Sequence, residues 1–238
     1  MSYGTPRPRD PSGSNPSPEL LDHAAGALVG LAVGDALGAP YEGLPPLMSE
    51  PRMEGGRGWE AGEWTDDTAQ AICIAASSAS GVLDAIDVGA NLMRWFVEDG
   101  KGVIVLHHAV ADYNNWPWFY EQIAGGKYFL KAEDGHRAST YKHDIEMFVE
   151  PVAKHPIVGD IGPMHIVDEG YKFRWISPQA TVLLKTKHEE SDDAVAWVMP
   201  HDKARLVSIM LGHDKQAHVH DGFRKLIKNA IDWSARKK

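Results

Sequence analysis

The chain has 238 residues, a formal net charge of -9 and a pI near 5.7, with 43% hydrophobic and 24% charged residues. This length suits one large or two small domains, and an acidic chain without a Lys/Arg stripe gives no electrostatic footprint for nucleic acid. No uninterrupted apolar run reaches the roughly 18 to 20 residues that span a bilayer, so we expect a cytoplasmic protein without a membrane partner.

Charge and histidine are distributed unequally about Glu98. Residues 1–98 hold 5 Lys+Arg and 14 Asp+Glu, which leaves 19 of each for residues 99–238, because the totals are 24 and 33. His23 is the only histidine before this point, and the other 11 of 12 follow it. Such asymmetry predicts two modules with different partners. We expect a disordered, proline-rich leader at 1–18, a helical segment at 19–98 and an α/β domain at 99–238.

The first predicted helix runs from Pro18 to about Leu37. Ser17 can cap its free amides, and proline is favoured in the first turn. Glycines at 26, 30, 34 and 38 form one ridge along it. Since each costs about 1 kcal/mol against alanine in a helix interior, the ridge indicates close approach of either another helix or a ligand.

The second predicted helix begins at Thr65 and ends near Ala79, with Gly81 as its stop. Asp66 and Asp67 fall in its first turn, where acidic residues are favoured at any helix. Two adjacent carboxylates beside hydroxyl groups are also hard oxygen ligands of the kind that Mg²⁺ and Mn²⁺ prefer. Cys73, the single cysteine, lies between isoleucines and is expected to be a buried apolar residue rather than a nucleophile.

Residues 26–42 (GALVGLAVGDALGAPYE) and 62–68 (GEWTDDT) resemble the N-terminal part of the ADP-ribosylglycohydrolase family. The resemblance implies an all-helical, two-metal hydrolase, usually with magnesium or manganese, that releases ADP-ribose from modified substrates. It implies that Thr65, Asp66 and Asp67 are metal ligands and that Glu42 is a catalytic residue over the substrate. The family's second Asp-x-Asp-Thr motif has no counterpart after residue 98.

A third helix is predicted at Ala85–Glu98, followed by a buried strand at Val103–Leu106. Further strands are predicted at 164–167, 181–184, 194–198 and 205–211, and a final amphipathic helix at 222–235. Strands interleaved with helices and loops predict an α/β layer. Polar groups follow several of these strands: His107 and His108, the pair 168–169, and His213 with Asp214.

Ligands of open α/β sheets lie at the carboxyl ends of the strands. The histidines could therefore converge on a site that binds a divalent metal or performs acid and base catalysis. The alternative is that one histidine of each group is a hydrogen-bonded structural residue. His107, His108, His213 and Asp214 are the candidate catalytic residues.

The second part of the chain carries a series of short motifs: GKGVIVLHHA at 100–109, NWP at 115–117, GGKY at 125–128, YKHD at 141–144, HPI at 155–157, VDE at 167–169, AW at 196–197 and LGHD at 211–214. With these motifs, residues 92–238 resemble the C-terminal two-thirds of the ThuA-like (trehalose utilisation) family. The resemblance implies a flavodoxin-like, glutamine-amidotransferase-like parallel sheet, here without its first strands, in a protein of sugar metabolism. No cysteine follows residue 98, which excludes amidotransferase thiol chemistry.

Three hypotheses follow for this chimera-like chain. The first is a sugar-processing α/β hydrolase or carbohydrate-metabolism protein that uses the histidines. The second is a magnesium-dependent ADP-ribosylglycohydrolase that uses Glu42 and the Thr-Asp-Asp motif. The third is an inactive fusion of two partial domains. The expected partner is a sugar or an ADP-ribose conjugate, and the sequence is compatible with a homo-oligomer.

Overall fold

The computed structural model describes residues 17–45, 49–79 and 83–235. The predicted leader lies outside these residues except for its last two, and so does the predicted helix stop at Gly81. The chain divides into two compact units, Met1–Phe96 and Val97–Lys238.

The first unit contains helices close to those predicted. They are α1 (Pro18–Gly38), a short 3₁₀ turn (Ala39–Tyr41), α2 (Asp66–Ser78) and α3 (Ala85–Glu98), which continues into the second unit. Ser17 caps α1 as expected, since its hydroxyl oxygen accepts from the Leu20 N–H at 3.1 Å. Helix α3 ends where Gly100, at φ +85°, donates to the Val97 carbonyl.

Helix α1 is mostly apolar in composition and largely exposed. Only Ala36 is buried in it, and no described atom lies within 4 Å of where a Cβ would stand on Gly26, Gly30, Gly34 or Gly38. Residues Pro18–Tyr41 are also long and apolar enough to cross a bilayer, with a mean hydropathy of 1.4. This helix meets the criteria of length and mean hydropathy although charged residues interrupt its apolar run. The same length and composition occur in core helices and signal sequences.

The second unit is built on a six-stranded sheet. Its strands are β1 (Val103–Leu106), β3 (Thr140–Pro151), β4 (Met164–Lys172), β6 (Thr181–Thr186), β7 (Ala194–Met199) and β8 (Leu206–Ile209), in the order β1-β8-β7-β6-β3-β4. A small second sheet pairs β2 (Gly126–Lys127) with β5 (Trp175–Ile176). Helices α4 (Lys215–Val219) and α5 (Asp221–Ala235) follow the last strand.

The α/β class is confirmed, but the large sheet is mixed rather than parallel. Among the described residues, β1 and β8 form its one parallel pair, and every other neighbouring pair is antiparallel. The connections from β6 to β7 and from β7 to β8 are too short for the crossovers that parallel neighbours usually need. These strands therefore return as hairpins.

The sheet is curled. Strands β1 and β4 are its two edges, and at about 4.8 Å between neighbouring strands a flat sheet would separate them by roughly 24 Å. His107 directly follows β1, yet its Nε2 lies 3.0 Å from the hydroxyl of Tyr171 on β4. The curl brings the two edges together, so side chains far apart in strand order can share one site.

One face of the sheet carries the main apolar core. Ile166, Leu183 and Ile209 are fully buried there against Phe223 and Leu226 of α5. The segment after β1 also packs against the sheet, since Trp197 Nε1 and Ser208 Oγ both donate to the Ala124 carbonyl. Segments on both sides thus hold the strands that carry the polar cluster described next.

Candidate functional site

Three histidines and one glutamate converge where the two edges of the sheet meet. Glu169 Oε2 lies 3.4 Å from His107 Nε2, 3.3 Å from His108 Nε2 and 3.5 Å from His213 Nδ1. The candidate ligand atoms of the four residues all lie within 4.8 Å of one another. Within the described residues, this is the one group of three or more His, Cys, Asp or Glu side chains close enough to hold a metal ion. We call it the His/Glu cluster.

Glu169 is the buried centre of the cluster, with a side chain that is 0% exposed. The Tyr171 hydroxyl, two residues along β4, donates to Oε2. The other oxygen, Oε1, accepts no hydrogen bond of acceptable geometry from the described residues, although His143 Nδ1 lies 2.9 Å from it. A buried carboxylate is costly unless it is paired or coordinated, and Oε1 is therefore open to a further donor or to a cation.

His107 is held in a defined tautomer. Its Nδ1 lies 2.9 Å from the Met210 carbonyl, which can only accept, so Nδ1 carries the hydrogen and the Nε2 lone pair faces the cluster. Burial lowers the pKa of His107, although the negative charges of Asp168 and Glu169 act to raise it. The lowered pKa favours the neutral imidazole that metal binding requires.

Asp168 positions the loop that carries His213. Its carboxylate accepts from the Gly212 N–H at 2.7 Å and from the His213 N–H at 2.9 Å, and it is only 3% exposed. Gly212 has φ +111°, and a Cβ there would come within 2.7 Å of the Phe223 ring. The buried carboxylate and this glycine therefore fix the place from which His213 reaches the cluster.

A β-bulge places His143 beside Glu169. The register of β3 against β4 runs from Lys142 opposite Gly170 to Ile145 opposite Asp168, so His143 and Asp144 together oppose Glu169. Asp144 has φ +54°, and its carboxylate accepts from Gln216 Nε2 at 3.0 Å. Bulges often redirect a side chain next to a functional site, and here the redirected side chain is the imidazole nearest Oε1.

The donor set fits a divalent transition metal. Three imidazole nitrogens and one carboxylate oxygen suit zinc and similar ions better than calcium or magnesium, which prefer all-oxygen ligands. The Nδ1 contact of His107 and the buried Tyr171 hydroxyl are outer contacts of the type that orient metal ligands. Burial, then the hydrogen bond from its hydroxyl to Glu169 and that carboxylate's charge, raise the pKa of Tyr171, so it stays a hydrogen-bond donor.

The model of the ThuA family, described as trehalose utilisation, matches residues 67–234. The chain belongs to the ThuA family. The crystal structure of a ThuA-like protein from Parabacteroides merdae matches 94% of this chain and 87% of its own, with a TM-score of 0.53 and 15% sequence identity. That likeness supports a ThuA-like fold.

Part of this ThuA-family chain also resembles ADP-ribosyl hydrolases. ADP-ribosylarginine hydrolase Tri1 from Serratia proteamaculans is 47% identical over 85 residues, and Tri1 from Pseudomonas putida is 44% identical over 82 residues. The matches cover 34% and 33% of this chain but 23% and 22% of the relatives. The chain thus spans about a quarter of the length of these curated relatives, and both resemblances stated from the sequence are confirmed.

Of the ThuA-side candidates, the structure brings together His107, His108 and His213. Asp214 is instead the N-cap of α4, where its carboxylate accepts from the Gln216 N–H at 2.8 Å, and the residue is half-buried. Glu169 was placed by the sequence at a strand end, but it lies inside β4 because that strand continues to Lys172. Tyr171 gave no signal in the sequence beyond its alternation with Glu169 on one strand.

The ADP-ribosylglycohydrolase-like candidates lie in the first unit. Thr65 is the N-cap of α2, but its hydroxyl donates to Asp35 Oδ1 at 2.7 Å rather than capping its own helix. Asp35 takes the capping role, since its Oδ2 accepts from the N–H groups of Thr65 and Thr68. Asp66 and Asp67 are exposed in the first turn, so their role as metal ligands stays a prediction.

Glu42 follows the 3₁₀ turn and is exposed. Its catalytic role also stays a prediction. The Asp35 carboxylate, by contrast, accepts four hydrogen bonds, from the backbone N–H and the hydroxyl groups of Thr65 and Thr68. Partial burial acts to raise the pKa of Asp35, but the hydrogen bonds from Thr68 and Thr65 outweigh it and lower the pKa.

An open cavity of about 410 Å³ lies elsewhere in the second unit, beside the start of α5. Three of its polar residues already have partners: Lys225 pairs with Asp160 at 2.9 Å, and His220 Nδ1 accepts from the Gly222 N–H at 3.1 Å. None of the residues of the His/Glu cluster lines it. We place the candidate site at the cluster because, within the described residues, only there do four possible ligand atoms lie within 4.8 Å of one another.

Proposed function

We propose that the second unit is a divalent-metal-dependent enzyme of carbohydrate metabolism that hydrolyses a glycosidic or N-glycosyl bond. The observation that carries the proposal is the convergence of His107, His108 and His213 on the buried carboxylate of Glu169. Membership of a family described as trehalose utilisation supports a sugar as the substrate class.

Each residue of the cluster has a distinct part in this proposal. His107, His108, His213 and Glu169 would hold the ion, which would supply Lewis-acid chemistry at a sugar oxygen. Tyr171 orients the Glu169 carboxylate by donating to Oε2. Asp168 fixes the His213 loop through two backbone N–H groups. His108 and His143, whose side chains are 63% and 50% exposed, face a ligand that arrives from solvent.

Metal analysis of the purified full chain tests the proposal. We expect about one zinc-like ion per chain, lost in His213→Ala and in Glu169→Gln, which removes the charge while keeping the shape. The control is His165→Ala, an exposed histidine on β4 outside the cluster. If the wild-type chain takes up no ion even after incubation with Zn²⁺, Mn²⁺ or Co²⁺, the metal-dependent function is wrong. Sugar release from disaccharides and N-glycosides, with and without chelator, then tests the reaction.

A second candidate function belongs to the first unit. The identity to ADP-ribosylarginine hydrolases favours magnesium- or manganese-dependent release of ADP-ribose through Glu42, Thr65, Asp66 and Asp67. Release of ADP-ribose from ADP-ribosylated arginine in the presence of Mg²⁺, abolished by Asp67→Ala, would support it. No release at high protein concentration would exclude it.

The inactive-fusion hypothesis predicts that both assays fail.

The cytoplasm remains the proposed compartment, because the single cysteine, Cys73, is buried and free, as is usual where thiols are kept reduced.

A further inference from the structure

Tyr141 stands on the open side of the His/Glu cluster. It is 57% exposed, and in the ladder between β3 and β4 it lies directly opposite Tyr171. Residues directly opposed in an antiparallel pair project to the same face of the sheet. Tyr141 therefore shares a face with Tyr171 and Glu169, with Tyr171 buried at the base and Tyr141 at the rim.

The imidazole of His143 lies next to both the Tyr141 ring and the buried carboxylate of Glu169. The rings of Tyr141 and His143 lie 5.1 Å apart at an interplanar angle of 68°, and His143 Nδ1 lies 2.9 Å from Glu169 Oε1. On the inner side, the Tyr128 ring packs edge-on against the Tyr171 ring at 5.9 Å. A molecule that approaches Glu169 from solvent thus meets hydrogen-bonding imidazoles next to an exposed aromatic ring.

An aromatic ring next to hydrogen-bonding imidazoles suits a pyranose, which has both apolar and polar surfaces. One side of such a ring presents C–H groups that pack on an aromatic face, while its hydroxyl groups need hydrogen-bond partners at the edge. Ligand sites combine apolar contact with a few placed polar groups in this way. We infer that Tyr141 is the stacking surface for a pyranose ring of the substrate, with the hydroxyl groups of that ring directed towards His143. The inference rests on the proposed function and adds its specificity-determining residue.

Phe148 supplies a matched control. It is also an exposed aromatic residue on β3, at 46%, and it pairs with His165 on the face that carries Tyr171. Tyr171 and His165 are six residues apart on β4, which corresponds to roughly 20 Å. Truncation of Phe148 removes a comparable ring from the same strand without touching the cluster.

The experiment measures trehalose and methyl glucoside binding by calorimetry for the wild type, Tyr141→Ala, Tyr141→Phe and Phe148→Ala. We expect the Kd of Tyr141→Ala to rise about three- to tenfold, the effect of losing one aromatic face contact. Tyr141→Phe keeps the face and should bind as the wild type does, and so should Phe148→Ala. The thermal melting curve of each variant shows whether it is folded.

The sugar-binding results test the stacking role of Tyr141, and they do so independently of whether the protein is a metal-dependent enzyme. Equal affinity of Tyr141→Ala and the wild type would overturn the stacking role, as would a loss of similar size in Phe148→Ala. Failure of the wild type to bind either sugar would overturn it too. Metal content, measured on the same samples, reports on the proposed function alone. Repeating the titration with chelator tests stacking even if no ion binds, because an aromatic contact does not need one.

Discussion

The hydroxyl of Tyr171 donates to the carboxylate of Glu169, which lies two residues earlier on the same strand and has no exposed side-chain surface. Side chains at i and i+2 project from the same face of a strand, so β4 alone fixes this contact. The donor then orients a buried carboxyl group at the point where three imidazoles arrive from other segments.

The variant Tyr171→Phe removes this donor and keeps the ring. We expect the free energy of unfolding of the metal-free protein to fall by about 1.5 to 3 kcal/mol, the range for a hydrogen bond to a charged group. Tyr128→Phe is the matched control, because its hydroxyl donates to a neutral carbonyl, that of Ser139, at 3.1 Å, and should lose only about 0.5 to 1.5 kcal/mol. Urea unfolding measures both, and equal losses would contradict a special role for Tyr171.

Asp168→Asn tests the positioning of His213. The amide cannot accept from Gly212 and His213 with both atoms, so we expect metal affinity to fall about 10- to 100-fold, as for other groups that orient metal ligands. The comparison is Asp214→Asn, which should leave metal affinity and stability nearly unchanged because asparagine caps a helix as well as aspartate does. A large loss of sugar-hydrolysing activity in Asp214→Asn would instead support the catalytic role predicted from the sequence.

Acidification should destabilise the second unit through His107. Its pKa in the folded protein is below the ordinary value of 6.5, so the unfolded chain binds the proton first as the pH falls. The stability that His107 contributes is therefore present above about pH 6.5 and is lost as the pH falls towards its lowered pKa. Urea unfolding of chelator-treated protein between about pH 7.5 and 5.5 should show a shallower decline for His107→Gln than for the wild type.

Two other histidines help to interpret this pH dependence of unfolding. The pKa of His155 is also lowered by burial, so His107→Gln should retain part of the decline. His165 is exposed, and His165→Gln should follow the wild-type profile. If His107→Gln declines as steeply as the wild type, burial of His107 is not a source of the acid sensitivity.

Asp35→Ala should loosen the start of α2 in the first unit. The carboxylate accepts from the backbone and the hydroxyl groups of Thr65 and Thr68, and the loss of such contacts to a charged group is expected to cost about 1.5 to 3 kcal/mol. Hydrogen exchange of the peptide containing α2 should become faster, while strands β6 and β7 serve as an internal reference. Asp22→Ala, an exposed aspartate on α1, should leave the exchange unchanged.

Local patterns predicted the helices and most strands, because caps, glycine stops and apolar runs act over a few residues. Ser17 and Gly100 behave as their types suggest. The mixed sheet could not be predicted in this way, because a buried apolar strand such as Val103–Leu106 has the same composition beside a parallel or an antiparallel neighbour. The curl that joins β1 to β4 depends on the whole sheet.

The cluster was predicted in part for the same reason. His107, His108 and His213 stand at strand ends, where the rule for α/β sheets directs attention. Glu169 lies inside a strand and meets His107 across 62 positions of sequence, and His143 reaches it through a bulge. No local sequence pattern predicts the contact of Glu169 with His107 or with His143. The alternative of a hydrogen-bonded structural histidine describes one side of His107, because its Nδ1 donates to the Met210 carbonyl while its Nε2 faces the cluster.

The bulge at His143 and Asp144 changes which side of the sheet each residue of β3 serves. Tyr141 lies opposite Tyr171 on the cluster side, whereas Ile145, Met147 and Val149, also at odd positions, are buried in the apolar core on the other side. In an uninterrupted strand all four would share one side. Deletion of Asp144 would restore regular pairing, with His143 alone opposite Glu169 and Tyr141 still opposite Tyr171. The extra residue of β3 therefore alters the chain only beside Glu169, and the register of the rim tyrosine and of the core does not depend on it.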